Sequence, residues 1–351
     1  MRTTVASFVF GFTLAGAFGC GSAADNSNGP SAATACADLA KAQCHLRETC
    51  SLGSFWNNHV YGDPPNCETR ATPSCISSLG AQDTGQTPTN IEACVALYSN
   101  YTCTDFRDNN PTGACVAPAG KRANGAACGA NGQCASTFCH LAQYETCGVC
   151  SAVPAAGAAC QYGGDCGRNM ACAIPTGAST GTCAAYVASG GACLTGSKPC
   201  QAGFACVGED ETAGTVGTCQ AQANSVNAAC DRSRKTAANC DAEYGLTCVP
   251  TAAKSGIGTC QAITLVASGQ TCGAIGAATI TGEAMCNAGG ICVKTTATEA
   301  TGTCAAAAAD GAACDSDVAI GPPCGAPARC VPSADGSTAG TCKMPDATKC
   351  N

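Results

Sequence analysis

The sequence predicts a small disulfide-rich fold: a short, disulfide-stapled α-helical N-terminal region followed by tandem cysteine-rich β-hairpin repeats. Three observations carry this. Cysteine accounts for 35 of 351 residues, whereas Leu, Ile, Val and Phe together number only 43, too few for one large apolar core. Cysteine spacing is irregular before about residue 118 and periodic after it. The segment ahead of a leading cysteine then recurs six times, the signature of a repeat architecture. A disulfide closing a loop of about 15 residues contributes roughly 3 kcal/mol, so many small closed loops can stand in for a core.

Such thiol density points to an oxidising compartment, because a reducing cytosol would leave the chain without staples. Charge excludes another class. Only 12% of residues are charged and the net charge is −7, without the basic stripe that a phosphate backbone requires, so no nucleic-acid partner is expected. The densest basic run, Arg232-Ser233-Arg234-Lys235, lies between Cys230 and Cys240 and reads as a solvated loop rather than a site for an acidic partner.

Residues 1–19 read as a signal peptide. Arg2 and the terminal amine supply the positive end, and Val5 to Phe18 supply an apolar segment too short to span a bilayer. Residues 20–33 follow as a flexible tether rich in Gly, Ser, Ala and Asn. Ala17-Phe18-Gly19-Cys20 resembles the lipobox of bacterial lipoproteins, in which lipid is attached to the cysteine and cleavage falls on its amino side. Ordinary cleavage after Ala15-Gly16-Ala17 is the alternative, and it would leave Cys20 as a free or pairing thiol. Parity favours lipidation: 35 cysteines cannot all pair within one chain, whereas 34 remain once Cys20 is set aside. The resemblance implies a lipid anchor on Cys20, and Gly21 in place of a retention-type Asp implies sorting to the outer membrane.

Residues 34–118 form the helical cysteine-rich domain, with Cys36, Cys44, Cys50, Cys67, Cys75, Cys94, Cys103 and Cys115. Thr34 can cap a helix with Asp38 in its first turn, which places Cys36, Ala40 and Cys44 on one face. Thr89 to Glu92 reads as a capping box, behind which Ile91, Cys94, Val95 and Tyr98 follow helical spacing. Pro64, Pro65 and Pro73 are expected to break the middle segment. The single Trp56, beside Phe55, His59 and Tyr61, could form a sugar- or peptide-binding patch. The weightier reading makes these aromatics the region's small core.

Residues 119–351 hold six repeats, at about 125–153, 154–188, 189–225, 226–267, 268–309 and 310–351. Their leading cysteines, Cys128, Cys160, Cys193, Cys230, Cys272 and Cys314, are spaced 32 to 42 residues apart. Repeats two to six add Cys166, Cys172 and Cys183; Cys200, Cys206 and Cys219; Cys240, Cys248 and Cys260; Cys286, Cys292 and Cys304; and Cys324, Cys330 and Cys342. In these five the third and fourth cysteines flank 10 to 12 residues of Thr, Ala, Gly and Ser that end in "GTC", which predicts a two-stranded hairpin beside an irregular loop. Repeat five stretches its first spacing to 13 residues, read as a longer surface loop. Four cysteines allow three connectivities, and all three stay open here. Repeat one carries five cysteines (Cys128, Cys134, Cys139, Cys147, Cys150), and Cys350 stands alone at the end. Either disulfides are staggered across unit boundaries or these two extra cysteines take other partners.

The run from Cys128 to Cys172, with "CGVC" and "CQYGGDC", resembles the N-terminal cysteine-rich repeats of Dickkopf-type proteins over residues 125–183. Where that family carries an adjacent cysteine pair, this chain has Cys166 after Asp165. The resemblance implies a secreted, disulfide-framed, non-catalytic binding module. The whole layout is similar to cysteine-rich lipoproteins of Gram-negative bacteria.

Catalytic signatures are weak. Gly177 to Gly181 matches the nucleophile-elbow pattern but occupies a hairpin loop. Cys147 and Cys150 have thioredoxin-like spacing without a βαβ context. Cys139, His140, Cys147 and Cys150 could surround zinc only as thiolates. Asp315 to Asp317 lacks the Gly and terminal Glu of a calcium loop, and His45, His59 and His140 sit in no nucleophile or metal motif. No enzyme activity, metal or cofactor is expected. The favoured function is a non-enzymatic surface binding or adhesion module, whose partner is an extracellular protein or glycan and whose membrane contact is the lipid on Cys20. A structural stalk or envelope spacer is the alternative, and a multi-headed protease inhibitor or an unrecognised enzyme the third.

Overall fold

The computed structural model describes residues 29–351 except 143, 253–254, 277–279, 297, 318–320 and 334–336. Residues 1–19, Cys20 and most of the tether lie outside the described residues.

Five short helices form a hub: α1 (Ala32–Thr49), α2 (Phe55–Tyr61), α3 (Pro64–Gly80), α4 (Pro88–Val95) and α5 (Cys103–Arg107). Cys36, Ala40 and Cys44 are buried on one face of α1, as their spacing predicts. The caps differ from expectation. Ser31, not Thr34, caps α1 by accepting from the Thr34 amide at 3.1 Å, so residues 32 and 33 belong to the helix and Asp38 lies beyond its first turn. Thr87, not Thr89, caps α4 by accepting from the Asn90 amide at 3.2 Å. The reason is Pro88, whose fixed φ and missing N–H suit the first helical position. The middle segment is also not broken. Pro64 and Pro65 open α3 behind the Asp63 cap, and Pro73 lies inside it. Cys44–Cys67 and Cys36–Cys75 tie α3 to α1 on either side of Pro73, and this tertiary clamp outweighs the proline's cost of about 3 kcal/mol. Cys50–Cys103 and Cys94–Cys115 complete the hub.

Each repeat contains the same three antiparallel strands rather than a bare hairpin, and in every repeat but the fifth they are the whole sheet. The strand of the closing cysteine is central, flanked by the strands of the third and of the leading cysteine. Third and fourth cysteines stand directly opposite in every unit, from Cys139 across Cys150 to Cys330 across Cys342. They are not bonded to each other. The leading cysteine bonds the third (Cys128–Cys139, Cys160–Cys172, Cys193–Cys206, Cys230–Cys248, Cys272–Cys292, Cys314–Cys330). The second bonds the fourth (Cys134–Cys150, Cys166–Cys183, Cys200–Cys219, Cys240–Cys260, Cys286–Cys304, Cys324–Cys342). Side chains opposite one another share a face, so the two disulfides lie side by side and form the buried centre of each unit. Repeat one joins the pattern once Cys147 is set aside.

Much of the long spacing of repeat five is strand rather than surface loop. Thr271–Ile275 pairs antiparallel with Gly282–Cys286, and Thr264–Val266 pairs parallel with the latter, which enlarges this sheet to five strands.

The units follow one another around the hub. Unit one donates from Gln133 Nε2 to the Gln82 carbonyl (3.0 Å), and unit two from the Asn169 amide to the Asn109 carbonyl (3.3 Å). The Ala202 amide of unit three donates to Asp108 (2.9 Å). In unit four, Asp241 pairs with Arg107 (2.7 Å). Unit five donates from the Gly289 amide to the His59 carbonyl (2.7 Å), and Arg70 reaches the Gly325 carbonyl of unit six (2.8 Å). The last unit returns to the first: Cys147 bonds Cys350 across a separation of 203 residues, and Arg329 donates to the Glu145 carbonyl (2.7 Å). The two extra cysteines are thus partners, and they close a ring.

Candidate binding surface

The aromatic patch around Trp56 is packing within the chain. Phe55 and Tyr61 are buried, Trp56 meets Phe106 edge-on at 6.3 Å, and Arg107 lies over its ring. His59 Nδ1 sits 2.8 Å from the Cys286 carbonyl oxygen, at the seam with unit five. Phe55 also lies against Gly245 of unit four, where φ is +99° and a Cβ would strike the phenyl ring.

The other singled-out motifs are likewise framework. Cys147 and Cys150 bond Cys350 and Cys134, and Cys139 bonds Cys128, so the thiols of the zinc reading are committed. His140 Nε2 lies 2.9 Å from Asp165 and joins units one and two. His45 makes a 3.6 Å surface contact with Glu48. Residues 176 and 177 form the turn of the second hairpin, with Gly177 at φ +83°. Asp315 accepts from the Asp317 amide (2.9 Å), a local turn. The basic run Arg232 to Lys235 wraps a buried carboxylate: Asp231 accepts from the amide and hydroxyl of both Ser233 and Thr236. The Ser233 hydroxyl, with these other donors, holds Asp231 far below the usual carboxylate range. Arg234 turns toward Glu209 of unit three at 3.5 Å.

Two features stand open to solvent. The first is the set of hairpin tips between third and fourth cysteines. Residues 175–180 and 212–216 are exposed, and Val216 and Val293 present large apolar side chains. The tips of units two and three brace one another, Thr176 donating to Glu211.

The second is a cleft of about 500 Å³ where the hub faces units one and two. Tyr98 and Tyr101 line it as a stacked pair, with centroids 5.2 Å apart and planes inclined by 13°. Gln43 donates to the Tyr98 phenol (3.0 Å), and the Thr112 amide donates to the Tyr101 phenol (2.7 Å). Burial pushes the Tyr98 hydroxyl's pKa up. The Thr102 hydroxyl, followed by the Asn110 amide, holds Asp105 below the usual carboxylate range. Sequence reading passed over this cleft, although three aromatics within Tyr98 to Phe106 were a signal for it. Phe138 and Asn131 arrive from unit one, far along the chain, and complete it.

No helix among the described residues is long and apolar enough to cross a membrane. Compared with protein-family models, curated proteins and solved structures, the chain matches none.

Proposed function

We propose that this chain is a non-enzymatic, extracytoplasmic binding module, held to the outer membrane through a lipid on Cys20, whose ring of repeats presents its hairpin tips to an extracellular protein or glycan. One observation carries the reading: six tips of differing sequence, with 10 to 12 residues between their flanking cysteines, close six copies of the same doubly bridged frame. A constant frame with variable edges is how rigid scaffolds present contact loops. Density of disulfides is typical of proteins outside the cytosol. A spacer gains reach from units laid end to end, whereas these units turn back on a hub, so the arrangement fits contact better than length.

Two measurements test this. Intact mass of protein extracted from its native host and alkylated without reduction should give a chain beginning at Cys20, carrying acyl mass and no alkylated thiol. A chain beginning at Phe18 with Cys20 alkylated would remove the anchor. Replacing the tips of units two, three and five with Gly-Ser turns of equal length should weaken binding to an array of surface proteins and glycans in graded steps. Binding that no tip alters, or an intact protein that binds nothing on the array, would overturn the contact reading.

A further inference from the structure

We propose that the cleft between the hub and units one and two binds a neutral oligosaccharide. This inference goes beyond the reading above, which places contact on the hairpin tips, and assigns a second site. The cleft exists because unit two meets the hub through few polar contacts, of which the Asn169 amide to the Asn109 carbonyl is one. Units one and two are meanwhile fastened to each other by His140 with Asp165 and by the Tyr162 hydroxyl donating to the Leu141 carbonyl. A gap is left under that joint, and its volume falls in the range of small-ligand sites.

Its lining selects the ligand. Aromatic faces match the C–H face of a pyranose ring and cover it at low entropic cost. Tyr98, Tyr101 and Phe106 supply such surfaces, with the buried Phe138 behind them. A side-chain amide offers a donor beside an acceptor, the pattern that vicinal hydroxyls need. Gln86 and Asn109 line the cleft, and neither side-chain amide has a hydrogen-bond partner among the described residues. Asn131 uses only its oxygen, which accepts from the Cys139 amide at 2.8 Å, and so keeps its N–H donors. Charge argues against an ionic ligand. Asp105 is already bound to Thr102 (2.6 Å) and Asn110 (2.9 Å), and the exposed Arg168 is the single cationic residue of the lining.

The test is a titration of the full chain with cellotriose, maltotriose and triacetylchitotriose, read by saturation-transfer NMR and calorimetry. At least one should bind with a millimolar or tighter Kd. Gln86→Ala and Asn109→Gly, which remove side-chain amides without intramolecular partners among the described residues, should each weaken it about tenfold at unchanged Tm. Asn109 has φ +49°, so glycine keeps its backbone conformation. Absence of binding by all three sugars at about 10 mM, or binding that both variants leave intact, would overturn the proposal. Array binding that the hairpin-tip replacements abolish, with no sugar bound in the cleft, would overturn this inference while sparing the surface reading. Sugar binding in the cleft together with no array binding sensitive to the tips supports this inference and sinks the presentation of partners by the hairpin tips.

Discussion

The glycine of each closing G-x-C shows how one residue type becomes obligatory. Gly148, Gly181, Gly217, Gly258, Gly302 and Gly340 each face the leading cysteine across the central strand. A Cβ there would fall on a main-chain carbonyl oxygen just past the third cysteine: His140, Ala173, Val207, Val249, Val293 or Val331. Gly258→Ala should therefore destabilise unit four by about 2 kcal/mol or more through overpacking, seen as faster amide exchange at 246–250; unchanged exchange would contradict the close approach. The recurring "GTC" was legible in the sequence, but its cause was not, because the clashing carbonyl lies on another strand. Asp108 is a second case. It is 3% exposed and its Oδ2 has no hydrogen-bond partner among the described residues. Burial first, then Glu243 and Asp105, raise its pKa from 3.8 to about 6 against the opposing Ala202 amide. An acid with a raised folded-state pKa contributes stability that is present below about pH 4 and lost as pH rises through about 6, a span worth at most about 3 kcal/mol. Asp108→Asn should raise Tm at about pH 8 and lose that gain near pH 4; parallel pH profiles for the two proteins would refute this.

At the scale of elements, cysteine and apolar spacing revealed which faces of α1 and α4 are buried, while the helix boundaries were displaced by two or three residues. Local propensity placed breaks at the prolines. Pro64 and Pro65 instead open a helix, and Pro73 is carried through it by disulfides that are non-local and so invisible to a window. The contacts that seat units on the hub were also hidden, because ordinary residues make them. Arg107 is the clearest. Its side chain is 4% exposed, pairs with Asp241 at 2.7 Å and donates to the Cys50 carbonyl at 2.8 Å. Glu243 Oε2 adds an ion pair 3.2 Å from Nε without hydrogen-bond alignment. Arg107→Met would leave the buried Asp241 charge uncompensated, at a cost of about 3 to 5 kcal/mol. The loss should appear as a lower Tm and as exchange at 241–246 that rises more than in unit two. A uniform change, or none, would show that Arg107 does not seat unit four.

At the scale of the molecule, the sequence read as a helical cap followed by a string of units, and the structure bends that string into a closed circuit. Repetition is a local property and survives in any sequence window. Closure depends on one pair of residues separated by 203 positions, each of which looked surplus within its own neighbourhood. The circuit also gives the framework its mechanical logic. Twelve bridges act inside the units and four inside the hub, so each part holds its own shape, while Cys147–Cys350 is, among the described residues, the one disulfide that joins one unit to another. In the chain-entropy view a loop of this length is worth at most about 5 kcal/mol, less here because the other bridges already shorten it. The most direct measurement is a disulfide map: digestion without reduction, followed by mass spectrometry of the linked peptides. The closed ring requires a peptide pair joined through Cys147 and Cys350, alongside first-to-third and second-to-fourth links in every unit. Cys147 joined to any other cysteine, or found alkylated as a free thiol, would contradict the closed ring.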